Sequence, residues 1–241
     1  MSSLKYSAEV TDIQALTHDV KEISFKMIDP PLLDFVAGQY ISIEVTEMKD
    51  DHARLNNRPY SIASSPEEKG VIKLCVNLVR GGPGSTFLHS LRHGDKVNFL
   101  PPFGYFTVNE ALTTSLLFVA TGTGIAPIKS MILHQLWSWN RRPMALYWGL
   151  RSEADLYYQK EFLNLAEKYP TFKFIQTLSQ PSPAWKGAQG RVTALLPNMI
   201  QTVENLDAYL CGNGTMIKEV RAILIEKGMP RKSIHTEKFY N

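Results

Sequence analysis

Three short segments combine residue types that hold anions or pack on planar rings. The first is TGTGIAP, residues 121–127, which follows an apolar run and opens a helical pattern. Its glycines let backbone N–H groups approach a ligand closely, and a helix N-terminus offers unpaired donors with a positive dipole end. A nucleotide pyrophosphate is the ligand this chemistry favours, although the segment lacks the full GxGxxG pattern. The alternative is a tight turn between a strand and a helix that binds nothing.

The second segment is RPYSIASSP, residues 58–66. On a strand, Arg58 and Tyr60 share one face and Ser61 lies on the other, while Pro59 predicts an edge or a bend. An arginine can hold a phosphate, a tyrosine can lie on an aromatic ring, and a serine can hydrogen-bond a ring heteroatom. Taken alone, the segment is explained more simply by an exposed arginine and a core tyrosine on an ordinary strand.

The third segment is GGPGSTFL, residues 81–88, a glycine-rich turn that leads into a helical pattern. Ser85 or Thr86 is predicted to be the N-cap of that helix. Because helix N-termini attract anions, the turn is a candidate for a second phosphate site. A plain capped helix start accounts for the same residues equally well.

Cys211, in YLCGNGTM, raises the question of a metal, a disulfide or a reactive thiol. The only other cysteine is Cys75, far away along the chain, and the six histidines show no ligand spacing. Zinc and iron–sulfur sites need clustered ligands, so no metal site is predicted. A disulfide is disfavoured in a reducing compartment. By itself, Cys211 is best interpreted as a small buried apolar residue at the end of a strand.

Composition excludes several classes of protein. The 241 residues are 44 % hydrophobic and 20 % charged, with a formal net charge of +3, which is typical of a globular chain of one or two domains. No basic stripe predicts a nucleic-acid partner. No apolar run approaches the ~18 residues of a membrane span, and the N-terminus has no apolar signal core. A cytoplasmic protein is expected.

The two halves of the chain show different hydrophobic patterns. The first half contains short β-rich runs separated by turn residues, typical of an antiparallel barrel or sandwich: AEVTDIQAL, KEISFKMI, YISIEV, YSIASS and VIKLCVNLV. The second half alternates apolar strands with helical patterns. The strands are SLLFVAT, MALYWGL, FKFIQTLS, DAYLCG and SIHTEKF, and the helices are IKSMILHQLW, DLYYQKEFLNLAEKY, VTALLPNMI and TMIKEVRAILIEKG. This alternation predicts a parallel α/β sheet, so we expect a β domain at 1–106 and a doubly wound domain at 107–241.

In this order, RPYS, LCVN–GGPGS, TGTGIAP, YLCGNGTM and a terminal TEKF resemble the ferredoxin–NADP reductase superfamily over roughly residues 6 to 239. The resemblance implies an N-terminal antiparallel flavin-binding β-barrel and a C-terminal doubly wound NAD(P)-binding domain. It implies that hydride passes from NAD(P)H to bound FAD. Electrons then pass to an external acceptor such as a ferredoxin, a flavodoxin or an oxygenase component.

The resemblance also assigns roles to single residues. Arg58 would hold the flavin phosphate, Ser61 would lie near flavin N5, and Cys211 would lie beside nicotinamide C4. The implied flavin contacts are Arg58, Pro59, Tyr60, Ser61, Cys75, Asn77, Gly84, Ser85, Thr86 and Phe239. The implied coenzyme contacts are Gly122, Thr123, Gly124, Ile125, Pro127, Arg151, Ser179, Gln180, Cys211, Gly212 and Met216. The implied catalytic residues are Ser61, Cys211 and Glu237.

Departures from the family pattern refine these expectations. Members that use NADPH often carry an arginine where this chain has Gln180, which favours NADH. FAD is preferred to FMN. These residues contain no clustered cysteines, so the acceptor is expected to lie outside them. Two other functions stay open: an electron-transfer subunit that is inactive outside a larger complex, and a reductase that uses free flavin as its substrate.

Overall fold

The computed structural model describes residues 5–49, 52–138 and 142–240. Internal contacts divide the chain into two compact units. The first contains the chain up to residue 108 together with residues 129–134, and the second contains residues 109–128 and 135–241.

The first unit is a six-stranded antiparallel sheet that curls on itself. Its strands are β1 (Tyr6–Ala15), β2 (Val20–Asp29), β3 (Tyr40–Lys49), β4 (His52–Ser61), β5 (Val71–Asn77) and β6 (Lys96–Phe103), in the order β4-β3-β6-β1-β2-β5. One helix, α1 (Pro83–Ser90), follows β5. A bridge between Ile62, just beyond β4, and Leu74 of β5 brings the two edge strands together. The predicted antiparallel barrel is therefore confirmed.

The core of this unit follows the two-residue period of its strands. In β3, Ile41, Ile43 and Val45 are buried, whereas the residues between them are less so. Side chains of a strand alternate between its two faces, so one face of β3 packs inward.

Strand β4 differs from the sequence prediction. We expected a strand at 60–65, but β4 begins at His52 and pairs with β3 along its whole length. Its first part, HARLNNR, is largely exposed and shows no apolar alternation, so its sequence carried no strand signal. Pairing with β3 holds this edge strand in place, and Pro59 lies on an edge as expected.

The second unit contains the predicted parallel sheet with helices. Its strands are β7 (Ser115–Thr121), β8 (Met144–Leu150), β9 (Phe172–Leu178), β10 (Ala188–Gln189), β11 (Leu206–Asn213) and β12 (Ile234–Tyr240), in the order β10-β9-β8-β7-β11-β12. The helices are α2 (Ile125–Trp137), α3 (Gln159–Lys168), α4 (Val192–Met199) and α5 (Gly214–Glu226), and residues 129–134 of α2 are assigned to the first unit. The chain reverses its direction of strand addition at β7, which makes the carboxyl ends of β7 and β11 a topological switch point.

Helix α3 begins later than its sequence predicts. A helix was expected from residue 155, but residues Glu153–Asp155 form a short 3-10 turn and Tyr158 has a φ of 52°. A left-handed residue interrupts the helical path, so α3 starts only at Gln159. Across the three described ranges, none of the helices is both long and apolar enough to cross a membrane.

Candidate functional site

In the first unit, the fold brings two of the sequence motifs into contact. Arg58 and Tyr60 lie on β4, and Gly84 lies in the first turn of α1. A Cβ atom added to Gly84 would lie 2.5 Å from Tyr60 Oη and 3.0 Å from Arg58 Cγ. Glycine therefore lets the helix start lie this close, whereas any larger residue would require Tyr60 and Arg58 to shift.

The start of α1 differs from the prediction. The helix begins at Pro83 with Gly82 as N-cap, so Ser85 and Thr86 lie inside the first turn and are not caps. Proline is favoured in the first turn because it has no N–H to leave unpaired. The Thr86 N–H donates to Gly82 O at 3.0 Å. The backbone N–H groups of Gly84 and Ser85, which have no partner within the helix, are the donors that this end offers to an anion.

The Ser85 hydroxyl shapes the turn before the helix. It accepts a hydrogen bond from Val79 N at 3.0 Å and donates to Gly82 O at 3.0 Å. The side chain is buried. Ser85 thus contributes a backbone donor to the helix start, while its hydroxyl holds residues 79–82.

Arg58 carries a carboxylate partner that the sequence analysis missed. Its Nε donates to Glu47 Oε1 at 2.6 Å and its Nη2 donates to Glu47 Oε2 at 2.7 Å. Asn56 Nδ2 donates to the same Oε2 at 3.0 Å. These three residues lie on neighbouring strands β3 and β4, and the pairing register brings them together.

The remaining predicted flavin contacts differ in burial. Burial raises the pKa of Tyr60 to about 12, although the neighbouring Arg58 cation opposes this, so the side chain stays a neutral phenol. Ser61 is buried at the end of β4. On β5, Cys75 is buried and Asn77 is half-buried, whereas Thr86 and Pro59 are exposed.

In the second unit, a cavity of about 550 Å³ opens at the carboxyl ends of the strands. This volume lies within the range of small-molecule sites. Its lining comes from the turns after β7, β8, β9 and β11 and from the first turns of α4 and α5. The lining residues are Thr121, Gly122, Gly149, Leu150, Arg151, Asp155, Ser179, Gln180, Gly190, Arg191, Val192, Thr193, Asn213, Thr215, Met216, Glu219 and Tyr240.

The predicted coenzyme contacts divide into two groups at this cavity. Five of them line it: Gly122, Arg151, Ser179, Gln180 and Met216. The other six are buried and, among the residues the structure describes, lie outside the lining: Thr123, Gly124, Ile125, Pro127, Cys211 and Gly212. The cavity therefore centres on strand ends and on the starts of α4 and α5, while most of TGTGIAP lies outside its described lining.

Hydrogen bonds between neighbouring turns hold the cavity in shape. Asn213 N donates to Thr121 Oγ1 at 2.9 Å, and Trp148 Nε1 donates to Gly122 O at 3.1 Å. Asn213 also caps α5, because its Oδ1 accepts from Thr215 N at 2.9 Å and from Met216 N at 3.1 Å. An asparagine between a strand and an apolar helical pattern is a cap signal that the sequence analysis overlooked.

Close backbone packing requires glycine at positions 124 and 212. A Cβ atom on Gly124 would lie 2.6 Å from the Cys211 carbonyl carbon, 2.7 Å from Gly212 Cα and still closer to Cys211 O. Gly212 has a φ of +128°, and a Cβ there would lie 2.6 Å from Thr121 O. The turn after β7 therefore lies directly on the β11 backbone.

Cys211 lies next to Glu237 in the parallel ladder between β11 and β12. Its side chain is 0 % exposed. Burial raises the pKa of the Cys211 thiol well above its usual value, and the Glu237 carboxylate raises it further, so the group stays protonated. The roles of Cys211 and Glu237 in hydride transfer stay predictions.

Charged groups of both signs line the cavity. Arg151 Nε donates to Gln180 Oε1 at 3.0 Å. Asp155 Oδ2 accepts from the backbone N–H and the hydroxyl of Ser152. Glu219 and Arg191 also belong to the lining.

The last described residue of β12 reaches the same cavity. The Tyr240 hydroxyl donates to Thr121 O at 3.2 Å, and Tyr240 belongs to the lining. Its neighbour Phe239, which is exposed to a similar extent, is not among the described lining residues. Burial raises the pKa of Tyr240. No local signal distinguishes Tyr240 from Phe239, because only the register of β12 decides which one points into the cavity.

Comparison with known proteins agrees with this geometry. The model of an oxidoreductase FAD-binding domain matches residues 7–108, and that of an oxidoreductase NAD-binding domain matches residues 118–222. Ferredoxin--NADP reductase B of Sorangium cellulosum is 32 % identical over 241 residues, covering 97 % of each chain. The chain belongs to the ferredoxin–NADP reductase superfamily. This member carries both the FAD-binding and the NAD(P)H-binding domain of an FAD-dependent oxidoreductase.

Other relatives and solved structures support the same assignment. Phenol hydroxylase P5 protein of Acinetobacter pittii is 33 % identical over 238 residues, which are 97 % of this reductase-family chain and 65 % of that protein. A cytochrome P450 reductase from Amycolatopsis has a TM-score of 0.86 at 27 % identity, covering 99 % of this chain and 70 % of the other. A ferredoxin NADP+ reductase from Neisseria gonorrhoeae, at 22 % identity, has the same fold with a TM-score of 0.82 over 97 % and 98 % of the two chains.

The first unit fits an FAD phosphate. Two backbone donors lie at the start of α1, and Gly84 lets this helix start lie directly against Arg58 and Tyr60. Glu47, which accepts from Arg58, is an element of this arrangement that an anion would not favour.

Proposed function

We propose that this reductase-family chain passes hydride from NADH to FAD held by its first unit. The electrons then go to an iron–sulfur acceptor, a ferredoxin or an oxygenase component, that lies outside these 241 residues. Bound FAD accepts two electrons together and releases them singly, which is the chemistry that links a nicotinamide to a one-electron carrier. The names of relatives support this proposal, among them the phenol hydroxylase P5 protein and the reductase component of a propane 2-monooxygenase from Mycolicibacterium goodii.

The Arg151–Gln180 pair carries the preference for NADH. By the family resemblance, this end of the cavity faces the ribose of the adenosine. Gln180 presents a neutral amide here, and its oxygen already accepts from Arg151 Nε at 3.0 Å. Two carboxylates, Asp155 and Glu219, line the same cavity. A 2′-phosphate would add about two negative charges to a cavity that already contains these carboxylates beside its arginines, whereas a ribose hydroxyl adds none.

Each unit has its own task in this proposal. Arg58 and the N–H groups at the start of α1 hold the flavin phosphates, and the neutral Tyr60 packs against the flavin ring. The cavity of the second unit orients the coenzyme. The hydrogen bond from Asn213 N to Thr121 Oγ1 links two of the segments that line it. Orientation of two bound rings supplies a large part of such a rate. The protonated Cys211 and the adjacent Glu237 set the polarity behind the cavity.

Anaerobic stopped-flow reduction tests the proposal. The FAD-loaded protein is mixed with NADH or NADPH, and the loss of flavin absorbance is followed. We expect NADH to react at least about tenfold faster at low coenzyme concentration, which corresponds to ~1.4 kcal/mol. A faster reaction with NADPH would reverse the coenzyme assignment. Failure of both coenzymes would refute the proposed activity itself.

Gln180→Arg sharpens the coenzyme test. An arginine at this position adds a cation to the cavity, so the preference for NADH should fall by at least about tenfold, since a charged hydrogen bond contributes ~1.5–3 kcal/mol. Gln201→Arg is the matched control, because residue 201 is exposed and is not among the described lining residues. An equal effect of both variants would show that net charge, not the site, sets the preference.

The acceptor is tested with the reduced protein. Cytochrome c is supplied as the final acceptor, and its rate of reduction is measured. We expect this rate to depend on added [2Fe–2S] ferredoxin. If a free flavin such as riboflavin is required for turnover and FAD is lost on gel filtration, the chain is a free-flavin reductase instead. If neither ferredoxin nor flavin accepts electrons until another subunit is added, the chain is a subunit of a larger complex.

A further inference from the structure

We propose that Glu47 competes with the flavin phosphate for Arg58 and thereby weakens the binding of FAD. This inference rests on the proposed role of Arg58. It assigns to Glu47 the function of setting how readily the protein releases its flavin.

Glu47 occupies N–H donors of Arg58 that a flavin phosphate would also use. A guanidinium has five N–H donors, and Glu47 accepts from the Nε edge and from Nη2 at 2.6 and 2.7 Å. A carboxylate occupies such a fork in the same bidentate manner as a phosphate. A flavin phosphate at Arg58 must therefore use the remaining donors or displace Glu47.

Glu47 is held in this position independently of Arg58. Asn56 Nδ2 donates to its Oε2 at 3.0 Å, and only 14 % of the Glu47 side chain is exposed. The carboxylate therefore cannot simply turn away into solvent when a second anion approaches. Its negative charge stays beside the phosphate site.

The stem of Arg58 packs independently of Glu47. A Cβ added to Gly84 of α1 would lie 3.0 Å from Arg58 Cγ and 3.2 Å from Arg58 Cβ, so the helix start lies against this stem. The side chain as a whole is 43 % exposed. The negative charge of Glu47 beside the guanidinium opposes the approach of a second anion.

Strand β3 offers a matched control for this effect. Glu44 also carries one negative charge, and it pairs with Lys5 at 2.6 Å, not with Arg58. Glu44→Gln and Glu47→Gln change the net charge of the same strand by the same amount. A difference between them reports the local contact with Arg58.

The test is a dilution series of the FAD-loaded protein in which FAD fluorescence reports release. We expect Glu47→Gln to bind FAD at least about fivefold more tightly than the wild type, and Glu44→Gln to change the dissociation constant by less than about twofold. Riboflavin, which lacks the phosphates, should bind equally to all three proteins.

An unchanged or weaker affinity of Glu47→Gln for FAD would overturn the inference. So would an equal gain in riboflavin affinity, because the effect would then not run through a phosphate. If Glu47→Gln does not fold, Glu47→Thr gives a second neutral variant with a strand-favouring side chain, and the same criteria apply to it. The outcome is separate from the proposed activity, which fails only if neither coenzyme reduces the bound flavin.

Discussion

Replacement of Gly124 by alanine tests whether this glycine is required by packing or by a ligand. An added Cβ would lie 2.6 Å from the Cys211 carbonyl carbon and 2.7 Å from Gly212 Cα. Both are backbone atoms of β11, so neither can move by turning a side chain. The turn after β7 and strand β11 would have to separate.

The size of the effect follows from these distances. Ordinary carbon contacts begin at 3.4 Å, so the two backbones would have to move apart by about 0.8 Å. Overpacking of this kind costs ~1–3 kcal/mol, and the site is at the upper end because backbone meets backbone. The alanine also restricts the unfolded chain, which raises the free energy of unfolding by ~0.4–1 kcal/mol. The net loss is about 2 kcal/mol in the free energy of unfolding.

Scanning calorimetry of the FAD-loaded protein measures this loss. For a chain of 150–250 residues, about 2 kcal/mol lowers the thermal midpoint by roughly 4–8 °C. Gly149→Ala is the matched control in the same sheet, because its Cβ would meet Thr121 and Val192 only at 3.4 Å or more. The reasoning is refuted if Gly124→Ala melts within about 1 °C of the wild type, or if Gly149→Ala falls as far.

Four further predictions concern individual side chains. Cys211→Ala should fold and keep its flavin but transfer hydride more slowly in stopped flow; an unchanged rate would leave Cys211 a packing residue. The hydride-transfer rate of the wild type, measured from pH 6 to 9, should show no change that reports ionisation of Cys211, since burial and Glu237 raise the pKa of the thiol. Asn213→Ala removes the acceptor of two N–H groups at the start of α5, so urea unfolding should show a loss of ~1 kcal/mol; a change within error would contradict the cap. Burial raises the pKa of both Tyr60 and Tyr209 to about 12. The stability that these neutral phenols contribute is complete below pH 10 and is lost as the pH rises to about 12. Phenolate absorbance and the urea midpoint, measured over this pH range, should change together. Normal ionisation near pH 10 in the folded protein would contradict this.

Much of the fold was predictable because its signals are local. SLLFVAT and the other apolar strands of the second unit alternate with helical patterns, and each pattern arises within a few neighbouring residues. The part of β4 before Tyr60 was missed because its largely polar residues lie on an exposed edge and carry no such pattern. Its structure depends on pairing with β3, a contact between segments.

The site divides in the same way. The order of the motifs carries the family resemblance that implied a flavin and a dinucleotide, whereas the glycine turn at residues 121–127 alone favoured only a nucleotide pyrophosphate. The contact of Gly84 with Tyr60 was not visible in the sequence, nor was the pair of Arg58 with Glu47. Both depend on which face of β4 meets its neighbours.

By itself, the sequence predicted the two-domain architecture and, through its family resemblance, the class of cofactors, while the residues that it assigns to those cofactors stay predictions. Tertiary structure alone decided that Ser85 shapes its turn, that Cys211 lies beside Glu237, and that a carboxylate already holds Arg58. The physical reason is that propensity and periodicity act over a few residues, whereas the partner of a side chain is set by strand register and helix packing between distant segments.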